Sequence, residues 1–294
     1  MFVRNLLHPS RRLRRGSWLL AGSLAALAAP VLAAEPEPTS STDAPATTAA
    51  DPWAYTLELY GYLPWAKGTT TIRGFAADTD LAPGQALNLL QSAASVRASA
   101  ERDRIGLLVD VAYTQLGDEQ ATTSRRGLFT GRVEQTVING IYDLALRYRF
   151  GERQAAKGRA GSWWVIPYAG VRVVQADLAL DAEVRGNGPL GLRWQKEGRL
   201  NRTWAQPLLG TQASLFLSRD LRVFGRADVG GFGLAGAQDL TGNAQLGVGY
   251  AVGNNTDLNL SWRYFGQAFN NGAARANGFT SYQNGIELGL TFFF

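Results

Sequence analysis

Seven arginines and seven carboxylates stand in short groups at even spacing along this chain: Glu58; Arg97 and Glu101; Asp110; Asp143, Arg147 and Arg149; Arg172; Arg222, Arg226 and Asp228; Asp257 and Arg263; and Glu287. In an extended chain, even spacing puts residues on one face. Charges gathered on one face and withdrawn from water must pair or stay hydrated. Equal numbers of arginines and carboxylates allow an internal ion-pair network. The same groups lining a passage would instead form a charged, selective constriction for a small ion or solute.

Other candidate chemistry is thinner. Asp118 and Glu119 offer carboxylates for acid–base work, but their polar surroundings read as a solvated loop. Gly231 to Gly236 matches GxGxxG, yet a dinucleotide site needs a helix directly after it and an acid about 20 residues on. The segment after Gly236 alternates like a strand, so these glycines are expected to make a bend or relieve crowding. Asn201-Arg202-Thr203 and Asn254-Asn255-Thr256 match the glycosylation sequon by pattern only and read as loop and turn residues. The chain has one histidine, His8, and no cysteine. Cysteine-ligated metal sites and disulfides are thereby excluded. No cofactor or metal is expected.

The elements that position the charges begin after an export segment. Residues 1–17 carry Arg4, Arg11, Arg12, Arg14 and Arg15 and no acid, and Trp18–Ala29 is apolar. A small-residue exit, Val31-Leu32-Ala33, completes a secretory signal over 1–33, with cleavage expected after Ala33 or, alternatively, Ala34. The apolar run is too short for an anchoring helix. Arg14, two beyond the Arg11-Arg12 pair, stands where a twin-arginine signal wants an apolar residue, which favours the general secretory route. Removing five arginines from 29 basic and 24 acidic residues leaves 24 against 24. The basic isoelectric point therefore belongs to the signal, and no nucleic-acid partner is expected. Residues 34–52, rich in Pro, Ala, Ser and Thr, read as a flexible periplasmic leader.

From Trp53 onward apolar residues recur with period two, the mark of strands. Ile105, Leu107, Val109 and Val111 alternate with Gly106, Leu108, Asp110 and Ala112; Leu258, Leu260, Trp262 and Tyr264 alternate with Asp257, Asn259, Ser261 and Arg263. The apolar face is broad and nearly free of charge, while the other face mixes small residues with paired charges. That pattern predicts an all-β fold over 53–294, a single antiparallel up-and-down transmembrane barrel with lipid outside and the fourteen charges inside. Ten strands are expected, near 53–63, 94–101, 104–116, 131–150, 163–182, 203–217, 220–233, 240–252, 256–266 and 280–294, within a range of eight to twelve. A phase change near Val173–Val174 suggests a bulge. Thr69–Arg73 could add a short strand, and Asp80–Ala93 reads as a short helix that could plug the lumen or lie outside.

Short turns at Glu101–Arg104, Ser218–Asp220 and Gly253–Thr256 alternate with long polar loops near 64–93, 117–130, 184–202 and 266–280. The exceptions are 151–162, long on the short side, and 234–240, short on the long side. In such barrels the short side is periplasmic. Two aromatic girdles are expected: Trp53, Tyr148, Phe150, Trp163, Trp164 and Phe292–Phe294 at the periplasmic ends, and Tyr62, Trp65, Tyr113, Trp204, Tyr264 and Phe265 at the outer ends.

The stretch LGVGYAVGNNTDLNLSWRYFG and the ending GIELGLTFFF resemble the last hairpin of bacterial outer-membrane β-barrel proteins. Pro167–Val174 and Pro207–Asp220 resemble strand motifs of small porin-like barrels. The resemblance spans about 53–294. It implies a bacterial outer-membrane location, outer-membrane lipids and the barrel-assembly machinery as partners, and Phe294 as the C-terminal assembly signal. Enzymatic families of this class (lipid A deacylases and palmitoyltransferases, phospholipase A, omptin-type proteases) rely on a histidine, which the mature chain lacks. The expectation is a non-enzymatic integral outer-membrane barrel, structural or porin-like, with a charge-filled narrow lumen. The alternatives are a narrow diffusion channel and a surface binding or adhesion protein acting through its external loops.

Overall fold

A computed structural model of the chain describes residues 53–72, 75–123, 129–186, 193–234, 236–273 and 278–294. The signal expected over 1–33 and the leader over 34–52 lie outside the described residues. The elements are β1 (Ala54–Ile72), β2 (Phe75–Leu81), α1 (Pro83–Leu89), β3 (Leu90–Arg102), β4 (Ile105–Thr123), β5 (Phe129–Tyr148), β6 (Phe150–Gly151), β7 (Trp163–Gly186), β8 (Arg193–Phe216), β9 (Leu221–Gly230), β10 (Gln238–Ala251), β11 (Thr256–Asn270) and β12 (Gly278–Phe293).

Each strand pairs antiparallel with its neighbour, and β12 pairs with β1. Ten strands close the ring; β2 folds back on the outer end of β1, and β6 pairs only with the start of β7. Tyr55 N–H donates to Phe294 O (3.1 Å) and Phe294 N–H donates to Tyr55 O (2.9 Å), so the first and last strands seal the ring. Closure removes the unpaired edges that a bilayer cannot tolerate. No helix among the described residues is long and apolar enough to cross a membrane; the strands do so.

Alternation assigns the two faces. Leu107, Val109, Leu144, Leu146, Val171, Leu246, Leu260 and Leu288 are exposed on the outer wall, Leu246 by 71%. A continuous apolar belt of this kind is not left in water. Around a polar interior it defines a transmembrane β-barrel of the bacterial outer-membrane type.

Five expectations change. The loops near 64–93, 117–130 and 184–202 are largely strand. β7 and β8 have 24 residues each, about 80 Å of chain at ~3.3 Å per residue, whereas a span needs only about ten. Outside the bilayer these residues still pair across β4, β5, β7 and β8, because a hydrogen-bonded ladder needs no apolar belt to form. β9, with 10 residues, leaves the wall lowest there. Thr69–Ile72 belongs to β1, and Arg73 lies outside the described residues.

No bulge interrupts Val173–Val174. β7 runs in unbroken register with both neighbours, and Trp164, Ile166, Tyr168, Arg172 and Val174 all point inward. The inward face merely becomes apolar there. The helix is shorter than expected: α1 covers 83–89 and buries none of its residues, so it is not a plug, and β3 begins at Leu90. The girdles are thinner. Trp53, Tyr148, Phe150, Trp163, Trp65 and Tyr264 are exposed on the wall, but Trp164, Phe293, Trp204 and Phe265 are buried inside. Residue type alone does not distinguish an interfacial aromatic from one filling the lumen; strand phase does.

Candidate functional site: the lumen

All ten closing strands send side chains into one lumen, which is filled in three layers. The middle layer is charged. Asp110 on β4 accepts from Tyr60 Oη (2.7 Å), from Arg97 Nε (2.9 Å) and from Arg226 Nη1. Arg97 Nη1 also donates to Glu58 Oε2 (2.7 Å). Arg172 forks onto Asp143 with Nε and Nη2 (both 2.7 Å), reaches Asp228 Oδ1 with Nη2 (2.8 Å) and donates to Thr241 Oγ1 (3.1 Å). Asn243 joins Asp228 to Arg263, and Arg263 Nη1 donates to Glu287 Oε2 (2.7 Å). Arg226 also lies within 3.6 Å of Asp143 and 3.3 Å of Asp228.

The consequence is continuity. Glu58, Arg97, Asp110, Arg226, Asp228, Arg172, Asn243, Arg263 and Glu287 form one chain of contacts, and Gln206 ties β8 to it through Thr241 (2.5 Å). The Arg226–Asp110 pair joins β9 to β4, four places apart around a ring of ten. It therefore crosses the lumen rather than running along the wall. Arginine suits this role because its planar fork satisfies two acceptors at once and its face stacks on rings. Arg97 and Arg263 both lie over the Tyr60 ring, at 4.8 and 5.8 Å.

The layer at the short-turn end is a floor. Glu101 accepts from Arg147 Nη2 (2.8 Å) and Arg149 Nε (2.6 Å), and Arg149 also donates to the carbonyls of Gly151 and Asp103. Arg222 pairs with Asp257 (2.7 Å) and Asn259 (2.9 Å). The long turn 152–162 crosses beneath. Gln154 accepts from Arg147 (2.6 Å), Ala156 packs on Ala251 and Phe293, Gly158 N–H donates to Arg219 O, and Lys157 reaches Asp220 and Asn254. The outer layer is apolar. Trp204, Phe269 and Phe279 cluster with Val174, with Trp204 and Phe269 ring centroids 4.9 Å apart and Arg202 over Phe269 at 5.2 Å.

The fourteen charged residues singled out in the sequence all sit in the lumen: thirteen are buried residues, and Glu58 has a side chain 12% exposed. Phe294 ends the chain beside Tyr55, on the outer wall. Sequence reasoning passed over Tyr60, Tyr168, Gln206, Thr241, Asn243, Gln245 and Asn259, which complete the network. Tyr60, Tyr168 and Asn259 stand in two-residue phase with Glu58, Arg172 and Asp257, so phase would have found them, whereas Gln206, Thr241, Asn243 and Gln245 lie on β8 and β10, which carry none of the fourteen charges. The Trp204–Phe269–Phe279 cluster and the 152–162 floor carry no such signal.

The remaining motifs resolve simply. Gly231, Phe232 and Gly233 have φ of 111°, 63° and 75° and form the β9–β10 turn, which leads into a strand rather than a helix. Asp118 and Glu119 are consecutive in β4, and Glu119 pairs with Arg132. Among the described residues no group of three or more His, Cys, Asp or Glu could hold a metal ion.

No protein-family model matches the chain, and no curated protein matches it. Solved structures with similarity to it include the outer membrane protease OmpT from Escherichia coli (12% identity, TM-score 0.48, covering 82% of this chain and 97% of that chain). Others are Neisserial surface protein A (15%, 0.22, 81% and 96%) and the attachment invasion locus protein Ail of Yersinia pestis (10%, 0.23, 83% and 99%).

Proposed function

We propose that this outer-membrane barrel is a closed, non-enzymatic scaffold that conducts no solute and works through what it carries outside the membrane. The observation that supports this reading is the Arg226–Asp110 pair crossing the lumen, closed in above by the Trp204–Phe269–Phe279 cluster and below by the 152–162 turn. A passage would need each layer to part. Parting the middle layer alone would strand buried charges, at about 3–5 kcal/mol for each broken pair.

Planar-bilayer conductance of the purified barrel tests this. Folding is verified first by the heat-dependent gel shift. A silent bilayer at moderate voltage is the expected result. Discrete, reproducible steps would overturn the reading in favour of a narrow diffusion channel.

The height of the outer wall favours surface binding as the work done. β4, β5, β7 and β8 continue well past the belt as a four-stranded sheet, where the register aligns Glu119, Glu134, Asp181 and Glu197 in one cross-strand row. Like charges directly opposite one another weaken a sheet, so the row is not there for stability. Trimming β7–β8 to end near Asp177 and Asn201 should leave the barrel folded while abolishing any surface-binding phenotype. A phenotype that survives the trim would count against this half of the reading.

A further inference from the structure

The lumen is neutral in sum but not in layout. Below the middle layer lies a cavity of about 60 Å³. Its wall includes Arg97, Arg147, Arg222 and Arg226, with Glu58 as the one carboxylate. The carboxylates that answer those arginines stand behind them: Asp110 for Arg97 and Arg226, Glu101 for Arg147, and Asp257 for Arg222. None of the three lines the cavity. Glu101 is moreover shared between Arg147 and Arg149, so this end carries a local excess of positive charge.

Two donors are left over. Arg97 Nη2 and Arg147 Nε are buried without a hydrogen-bond partner among the described residues, and both side chains line the cavity. The carboxylate oxygen facing Arg97 Nη2 is Glu287 Oε1, at 3.9 Å, too far to accept a hydrogen bond. A buried guanidinium N–H normally has an acceptor. An excess of positive charge at a low-dielectric wall calls for an anionic one.

We propose that this cavity binds one small monovalent anion of halide size, together with a water, and that the anion is part of the folded barrel. The volume admits this occupant, since about 10–15 Å³ of such space already holds one water. Gln212, which also lines the cavity and takes no part in the ion pairs described above, adds a polar side chain beside Arg226, its cross-strand partner. The site is independent of conduction: it requires only that the arginines face inward with their partners behind.

The test uses the protein extracted from membranes in detergent. Crystals soaked in sodium bromide should give an anomalous peak inside the cavity, within hydrogen-bond distance of Arg97 Nη2 or Arg147 Nε. Bromide found only on the surface, or not at all, overturns the proposal. In solution, the heat-unfolding midpoint is tracked as chloride replaces bulky isethionate at constant ionic strength, which holds screening fixed. The midpoint should rise with chloride, as linkage requires of a ligand that binds only the folded state. Gln212→Phe narrows the cavity without removing a charge and should abolish the rise. An equal rise in wild type and variant would also overturn the proposal. The bromide experiment decides alone if that variant does not fold.

Discussion

Arg172 is the residue whose loss the barrel should feel most. It is 1% exposed and makes four hydrogen bonds, two to Asp143 and one each to Asp228 and Thr241. Arg172→Leu leaves Asp143 facing only Arg226, at 3.6 Å. Asp228 keeps Tyr168 and Asn243. Removing one partner of a buried pair costs about 3–5 kcal/mol, and the near-orphaned Asp143 places Arg172→Leu at the upper end, ~5 kcal/mol. Arg226→Leu should cost less, ~3 kcal/mol. Asp110 then retains Arg97 and Tyr60, and Asp143 retains both bonds from Arg172. The double variant Arg172→Leu/Asp143→Leu removes both charges and should recover roughly 2–3 kcal/mol of the single loss. Equilibrium unfolding in urea, with the barrel refolded into thin bilayers and monitored by tryptophan fluorescence and gel shift, gives the three values. If Arg226→Leu proves costlier than Arg172→Leu, or the double variant is no more stable than Arg172→Leu alone, reading cost from the remaining partners is wrong.

The geometry sets three further outcomes. Leu246, 71% exposed in the belt, should cost about 2–4 kcal/mol on replacement by Arg, whereas Arg at Leu234, 75% exposed in the β9–β10 turn, should leave bilayer stability unchanged by the same urea assay. Brominated lipid should quench a variant retaining only Trp262, which stacks on Trp65 on the wall, and should spare one retaining only Trp204 in the lumen. A Cβ on Gly210 would lie 2.4 Å from the Tyr168 ring, so Gly210→Val should displace that ring and break the Tyr168–Asp228 bond. Unfolding should then show a loss of about 1–3 kcal/mol, whereas Gly242→Val, where nothing stands within 4 Å, should be near neutral.

The two-residue period alone determined much about this protein. It put Leu107, Val109 and Leu260 on the wall and Asp110, Asp257 and Arg263 inside, because a strand has only two faces and lipid accepts only one kind of residue. It also gave the strand count, since each apolar run long enough to span must return. What it could not carry was height: β7 and β8 continue far beyond the belt, where pairing persists but the apolar signal does not. Partner choice was beyond it as well. That Asp110 meets Arg226, 116 positions away, is a result of how ten strands close into a ring. Likewise Trp204 and Phe269 meet as a lid, and Ala156 and Phe293 as a floor, only because closure brings distant strands to one mouth. Phase is local to each strand and legible in it; contact across the lumen belongs to the closed ring, and that is where tertiary structure decided.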